Sequence, residues 1–156
     1  MARLTRKTMT YSSTLFLFLL LQPIGVVLSE VKGPDIRLGE ITFGVREFQS
    51  TPSPLRMLEI HIEVLNPSRS STAPANSIKV VVVPKEVKYP GGVSVPGFNP
   101  TQEETTLPVP LPPNMGRILI IGFSLPETKP ESITFEVQVN PPDGEKKIVI
   151  WEGSGN

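Results

Sequence analysis

The sequence predicts an all-β fold, a single antiparallel two-sheet Ig-like sandwich of about seven short strands behind an N-terminal export signal. Three observations lead there. Apolar side chains alternate strictly with polar ones in two separate segments, which is the period of a half-buried strand. The 18 prolines of the 156 residues fall mostly between apolar runs, where they bound strands without interrupting ladders. After residue 30 no stretch carries the 3.6-residue apolar period of an amphipathic helix. A closed barrel is the other architecture compatible with this pattern.

Residues 1–29 read as a signal peptide. Arg3, Arg6 and Lys7 precede the apolar run Leu15 to Leu21, Gln22-Pro23 breaks it, and Val27-Leu28-Ser29 places modest side chains before a cut. The run is shorter than the roughly 20 apolar residues that span a bilayer, so no stable membrane span is expected after cleavage. An uncleaved anchor is the rival outcome. The domain itself is expected over residues 30–152, with 153–156 as a flexible tail.

The strands follow in order. Ile36 to Phe48 changes phase, with Ile36 and Leu38 on one parity and Ile41, Phe43 and Val45 on the other, so Gly39 marks a β-bulge or a switch between sheets. Leu58, Ile60, Ile62 and Val64 form the inner face of a second strand. Ile78 to Val83 and Ile118 to Phe123 are apolar on both faces and read as buried central strands. Residues 84–105 lack a plain strand pattern and read as a long insert. Thr105 to Leu111 suits only an edge, because Pro108 and Pro110 have no amide hydrogen to donate. Ile133, Phe135, Val137 and Val139 repeat the alternation, and Pro141-Pro142-Asp143-Gly144 turns that strand into a last one at Ile148 to Trp151.

The chain has no cysteine, which excludes disulfides, a cysteine nucleophile and a Cys-ligated metal. Its 15 basic and 15 acidic residues balance, and leaving out residues 1–29 gives 12 against 15, with no clustered basic face for nucleic acid. An exported domain of this size can rely on packing alone, since it buries roughly two thirds of its unfolded surface. Asn66-Pro67-Ser68 and Asn99-Pro100-Thr101 are sequons blocked by proline. A secreted or periplasmic location in a bacterium fits these features.

Chemistry is sparse. His61 is the single histidine, and with Glu59 and Glu63 it occupies the outer face of one strand, a spacing that would suit a metal ion or a proton-transfer pair. A solvated strand face is the simpler reading. No Gly-x-Ser-x-Gly, Gly-x-Gly-x-x-Gly or phosphate loop is present, and the two aspartates, Asp35 and Asp143, are not in a calcium-loop series. The sequence therefore reads as non-enzymatic, with no catalytic residue, no cofactor and no metal.

Ile62-Glu63-Val64-Leu65-Asn66-Pro67-Ser68, Thr72-Ala73-Pro74-Ala75, Leu111-Pro112-Pro113-Asn114-Met115-Gly116-Arg117 leading into Ile121-Gly122-Phe123, and Phe135 to Val139 together resemble bacterial cell-adhesion-related Ig-like modules (the CARDB type) and their fibronectin-III-like relatives. The resemblance spans about residues 55–151. It implies an Ig-like fold and an interaction role, with no catalytic residue. The expected function is an exported module that binds a protein or cell-surface polymer in the envelope. Within the insert, Tyr89, Val93, Val95 and Phe98 flank Gly91-Gly92 and are the candidate partner-binding residues, as aromatic and apolar anchors concentrate interface energy. The alternative is an accessory hydrolase or metal-dependent protein centred on His61.

The signal reading predicts that the exported protein begins at Glu30. Intact mass measurement of exported material checks this, and retention of residues 1–29 in the membrane fraction would refute it.

Overall fold

The computed structural model of the chain describes residues 33–49, 55–96 and 102–153. The predicted signal segment 1–29 and Phe98 lie outside the described residues. Eight strands are present: β1 (Arg37–Phe48), β2 (Leu55–Asn66), β3 (Lys79–Tyr89), β4 (Val93–Pro96), β5 (Glu103–Thr106), β6 (Met115–Ser124), β7 (Ser132–Val139) and β8 (Lys146–Glu152). They build two antiparallel sheets and, among the described residues, no helix. The first sheet has the order β1-β2-β6, and the second has β4-β3-β7-β8 with β5 also on β3. Because β7 occupies one edge of β3, β4 and β5 divide the other, β5 against Lys79 to Val82 and β4 against Glu86 to Tyr89. The all-β sandwich expected from the sequence is the observed fold.

The period-two pattern fixes the faces. Leu58, Ile60, Ile62 and Val64 of β2 are fully buried, as are Ile133, Phe135, Val137 and Val139 of β7. Their side chains meet between the sheets. Phe123 of β6 packs on Phe135 with ring centroids 5.3 Å apart, and Phe43 of β1 reaches the same ring at 6.2 Å, both within the range of favourable aromatic pairs.

The phase change at Gly39 is a bulge. Leu38 pairs with Val64 and Ile41 with Ile62, so Gly39 and Glu40 together oppose Glu63. The Glu63 carboxylate accepts the Glu40 amide hydrogen at 3.1 Å, satisfying a donor that the ladder has lost. A Cβ on Gly39 would lie 2.2 Å from Glu63 Oε2. The bulge also closes the seam between the sheets: Lys147 Nζ donates to the carbonyls of Leu38 and Gly39 at 2.7 and 3.0 Å, and the Leu38 amide donates to Glu145 at 2.7 Å.

Four expectations are corrected. β6 is an edge strand, with Ile118 64% and Ile120 55% exposed, so its second apolar face is not buried. The insert 84–105 consists largely of strand, because β3 continues through Pro84 to Tyr89. A bulge between Pro84 and Glu86 absorbs the proline, which sits in the gap between the β5 and β4 ladders. The edge segment after it is β5 at Glu103–Thr106, followed by a lone bridge from Leu111 to Ala73. Finally, Gly153 belongs to the domain and not to a tail, since it is buried and its amide donates to the Glu131 carbonyl at 2.7 Å.

Asn66 is the one buried polar side chain among the described residues. Its Nδ2 donates to the carbonyls of Ser71 (2.8 Å) and Leu111 (3.0 Å), while Oδ1 accepts from the Ser68 amide (3.3 Å) and faces the Ser68 hydroxyl (2.6 Å). Asn66→Ala is expected to lower unfolding free energy by about 2–4 kcal/mol, because a fully buried, hydrogen-bonded side chain is lost and the carbonyls of Ser71 and Leu111 each lose one of their donors. Thr72→Ala, at an exposed position of the same loop, should stay within about 0.5 kcal/mol. Denaturant melts of the two variants measure the contrast.

Candidate functional site

Three surface features assemble chemistry-bearing residues. The first is the outer face of the first sheet, where Glu59, His61 and Glu63 stand in a row on β2. Register pairing places Thr42 and Ile120 on either side of His61, and Gly44 and Gly122 on either side of Glu59. His61 Nε2 lies 3.5 Å from Glu59 Oε2. Glu59 is itself held by Arg46, whose Nε is 3.0 Å from Oε1, and Glu63 is engaged by the bulge amide. Each glutamate thus has a structural partner, and the shallow depression lined by Glu40, Thr42, His61, Glu63 and Ile118 opens to solvent. Among the described residues no group of three His, Asp or Glu side chains converges as metal ligands would.

The second feature is the β3–β4 hairpin. Tyr89 pairs with Val93 across a turn in which Gly91 and Gly92 have φ of 92° and 80°, backbone angles that a residue with a Cβ rarely adopts. Ser94 Oγ donates to the Glu86 carboxylate across the hairpin. Tyr89 is half-buried and packs on the core cluster, so it roots the hairpin in the sandwich. Val93 is 59% exposed at the turn. Val95 pairs with Val87 through the backbone. Of the four residues singled out in the sequence, the structure brings Tyr89, Val93 and Val95 into one hairpin and leaves Phe98 outside the described residues.

The third feature is a charged knot on the outer face of the second sheet. Glu136 of β7 lies 3.1 Å from Lys146 Nζ and 3.6 Å from Lys85 Nζ. The hydrogen bond from Lys146 holds the Glu136 carboxyl below its ordinary value of 4.5, and the positive charge of Lys85 adds to this against the opposing effect of partial burial. Sequence reasoning missed the knot. Lys85 is the extra residue of the β3 bulge, and alternation alone does not place it.

A scan against protein-family models finds no match to the chain, and neither does a search of curated proteins. Among solved structures, the chain is similar to the X-ray structure of Northeast Structural Genomics Consortium target SoR45, at 14% identity and a TM-score of 0.41, over 78% of this chain and 89% of that one.

A carboxyl whose folded pKa is depressed contributes stability that is present above its unfolded pKa and is lost as the pH falls through the folded one. The thermal midpoint should therefore drop on acidification below about pH 4.5, and Glu136→Gln should show a shallower drop over the same range while melting slightly lower at neutral pH. The effect is small because both lysines are about half exposed. Melts across the acid range, with Glu127→Gln as an exposed control, test it.

Proposed function

We propose that the chain is an exported, non-catalytic β-sandwich module that binds a protein or cell-surface polymer in the bacterial envelope, with the β3–β4 hairpin as its contact surface. The observation that carries the reading is Val93, an apolar side chain 59% exposed at the end of a hairpin whose other strand is anchored in the core through Tyr89. An apolar group held on a rigid base loses little conformational entropy on docking, which is the condition for an efficient anchor. The two-sheet sandwich is also the architecture shared by the Ig-like adhesion modules that the sequence resembles, which supports an interaction role. His61 is better accounted for as a member of a hydrogen-bonded strand face, since its glutamate neighbours already serve Arg46 and the bulge.

The two hairpin residues are expected to separate in their effects. Val93→Asp should leave the melting temperature nearly unchanged and weaken retention on isolated envelope fractions by about tenfold or more, the scale of a modest interface hot spot. Tyr89→Ser should lower the melting temperature, because it removes aromatic area from the core. Retention unaffected by Val93→Asp would refute the hairpin as the contact surface.

A further inference from the structure

The seam between β1 and β8 is latched at one end only. Near the start of β1, Lys147 and Glu145 bond to the backbone of Leu38 and Gly39. Toward the other end the inward phase of β1 comes progressively out of the core, with Leu38 4% exposed, Ile41 and Phe43 half-buried and Val45 50% exposed. Among the described residues no backbone hydrogen bond joins β1 to β8 there. The sheets leave between them a half-open cavity of about 120 Å³, walled on its apolar side by Val45, Leu125 and Trp151.

The same inward phase turns charged at this end. Val45 pairs with the buried Leu58 and Glu47 with Arg56, so Glu47 and Arg56 hold positions that are apolar elsewhere along the two strands. Cross-strand partners of opposite sign ordinarily attract one another. Here no ion pair joins them among the described residues. Arg56 Nη2 is drawn instead to the carbonyls of Pro126 and Glu127, at 3.4 Å each, and its Nε and Nη1 have no acceptor among the described residues. Lys129, from the loop between β6 and β7, lines the cavity as a second cation. An apolar wall is thus bordered by one anion and two cations, with the two signs held apart.

We propose that this cavity binds a small hydrophobic α-amino acid as its zwitterion. The ligand's ammonium group donates to Glu47, its carboxylate accepts from Arg56 and Lys129, and its side chain lies against Val45, Leu125 and Trp151. Size and charge both select this class. An apolar cavity of about 150 Å³ holds a benzene ring, so this one takes a single aliphatic or aromatic side chain, whereas sites for larger ligands run to roughly 300–1,000 Å³. A plain carboxylate would leave Glu47 facing it unpaired, and a plain amine would meet two cations. Only a ligand with both signs answers all three charges. In the second sheet β8 and β4 are opposite ends of the order β4-β3-β7-β8, so the cavity is separate from the β3–β4 hairpin and does not rest on the function proposed for it.

Trp151 is the single tryptophan of the sequence, so its fluorescence reports on this cavity. Titration of the purified full chain with L-leucine, followed by that signal and by calorimetry, should saturate with a dissociation constant of about 1 mM or below. Glycine lacks the apolar body, N-acetyl-L-leucine the positive charge and L-leucinamide the carboxylate, and each should bind about tenfold or more weaker, the scale of one charge-assisted contact. Glu47→Gln should remove leucine's advantage over N-acetyl-leucine, and Lys129→Gln should weaken leucine binding by about tenfold, both with an unchanged melting temperature because the two positions are exposed. Absence of saturable leucine binding, equal binding of leucine and its derivatives, or leucine binding indifferent to both substitutions would each overturn the proposal.

Discussion

The carboxamide of Asn66 holds the two crossings between the sheets. It ends β2, and from there the chain leaves the first sheet for β3. Its Nδ2 binds Ser71 on that outgoing path and Leu111 on the path that returns from β5 to β6. Its own carbonyl accepts the Asn114 amide at 2.7 Å, and Ala73 and Leu111 exchange both of their backbone bonds. A buried amide is costly unless all of its hydrogen-bonding capacity is met, and here each of its polar atoms has partners in the two connections. The sandwich depends on this arrangement because β2 and β6 are neighbours in space although 48 residues separate the end of β2 from the start of β6. One side chain fixes where β6 begins relative to where β2 ends, and the β2–β6 register follows.

From that point the faces of the sandwich divide the work. The inner faces are apolar and continuous, joined across the sheets by the Phe123–Phe135 contact. The outer faces are stitched by local ion pairs, Arg46 with Glu59 on one sheet and Glu136 with Lys85 and Lys146 on the other. The seam between β1 and β8 is polar, built from Lys147, Glu145 and the carbonyls of the bulge. Among the described residues, apolar side chains stay exposed at the hairpin turn (Val93), along the outer row of β6 (Ile118 and Ile120) and along that of β8 (Ile148 and Ile150).

The alternating segments were legible because each has one face in the core and one in water, so β2 and β7 could be read residue by residue. Gly39 was legible as well, since a switch of parity within one run has few backbone solutions. β6 was misleading for a physical reason. Apolar residues on both parities ordinarily mean burial on both faces, but β6 buries only Leu119, Ile121 and Phe123 and exposes Ile118 and Ile120. The region after Pro84 misled in the opposite sense. Proline and glycine suggested a loop, yet the bulge at Lys85 and the division of the β3 edge between two short strands let the chain stay extended. Of the hairpin residues, the sequence indicated a cluster around Gly91-Gly92 but not which of them faces the core. That depends on a register which Tyr89 and Val93 acquire only by pairing.

The bulge at Gly39 and Glu40 sets the reading frame of β1. Upstream of it one parity faces the core, and downstream the other does, so the two stretches agree with each other only because one strand carries one residue more than its partner. Substitutions in this segment act on one side chain at a time. Loss of either Gly39 or Glu40 would remove only the extra residue and leave Leu38, Ile41 and Phe43 opposite Val64, Ile62 and Ile60 in an unbroken ladder, whereas a one-residue gap further along, within Thr42 to Arg46, would throw the rest of the strand out of phase with the core. Divergence along β1 is thus permissive towards replacement and towards a gap at the bulge itself, and intolerant of a single-residue gap downstream, so the number of residues from Ile41 onward is under tighter constraint than the identity of most of them.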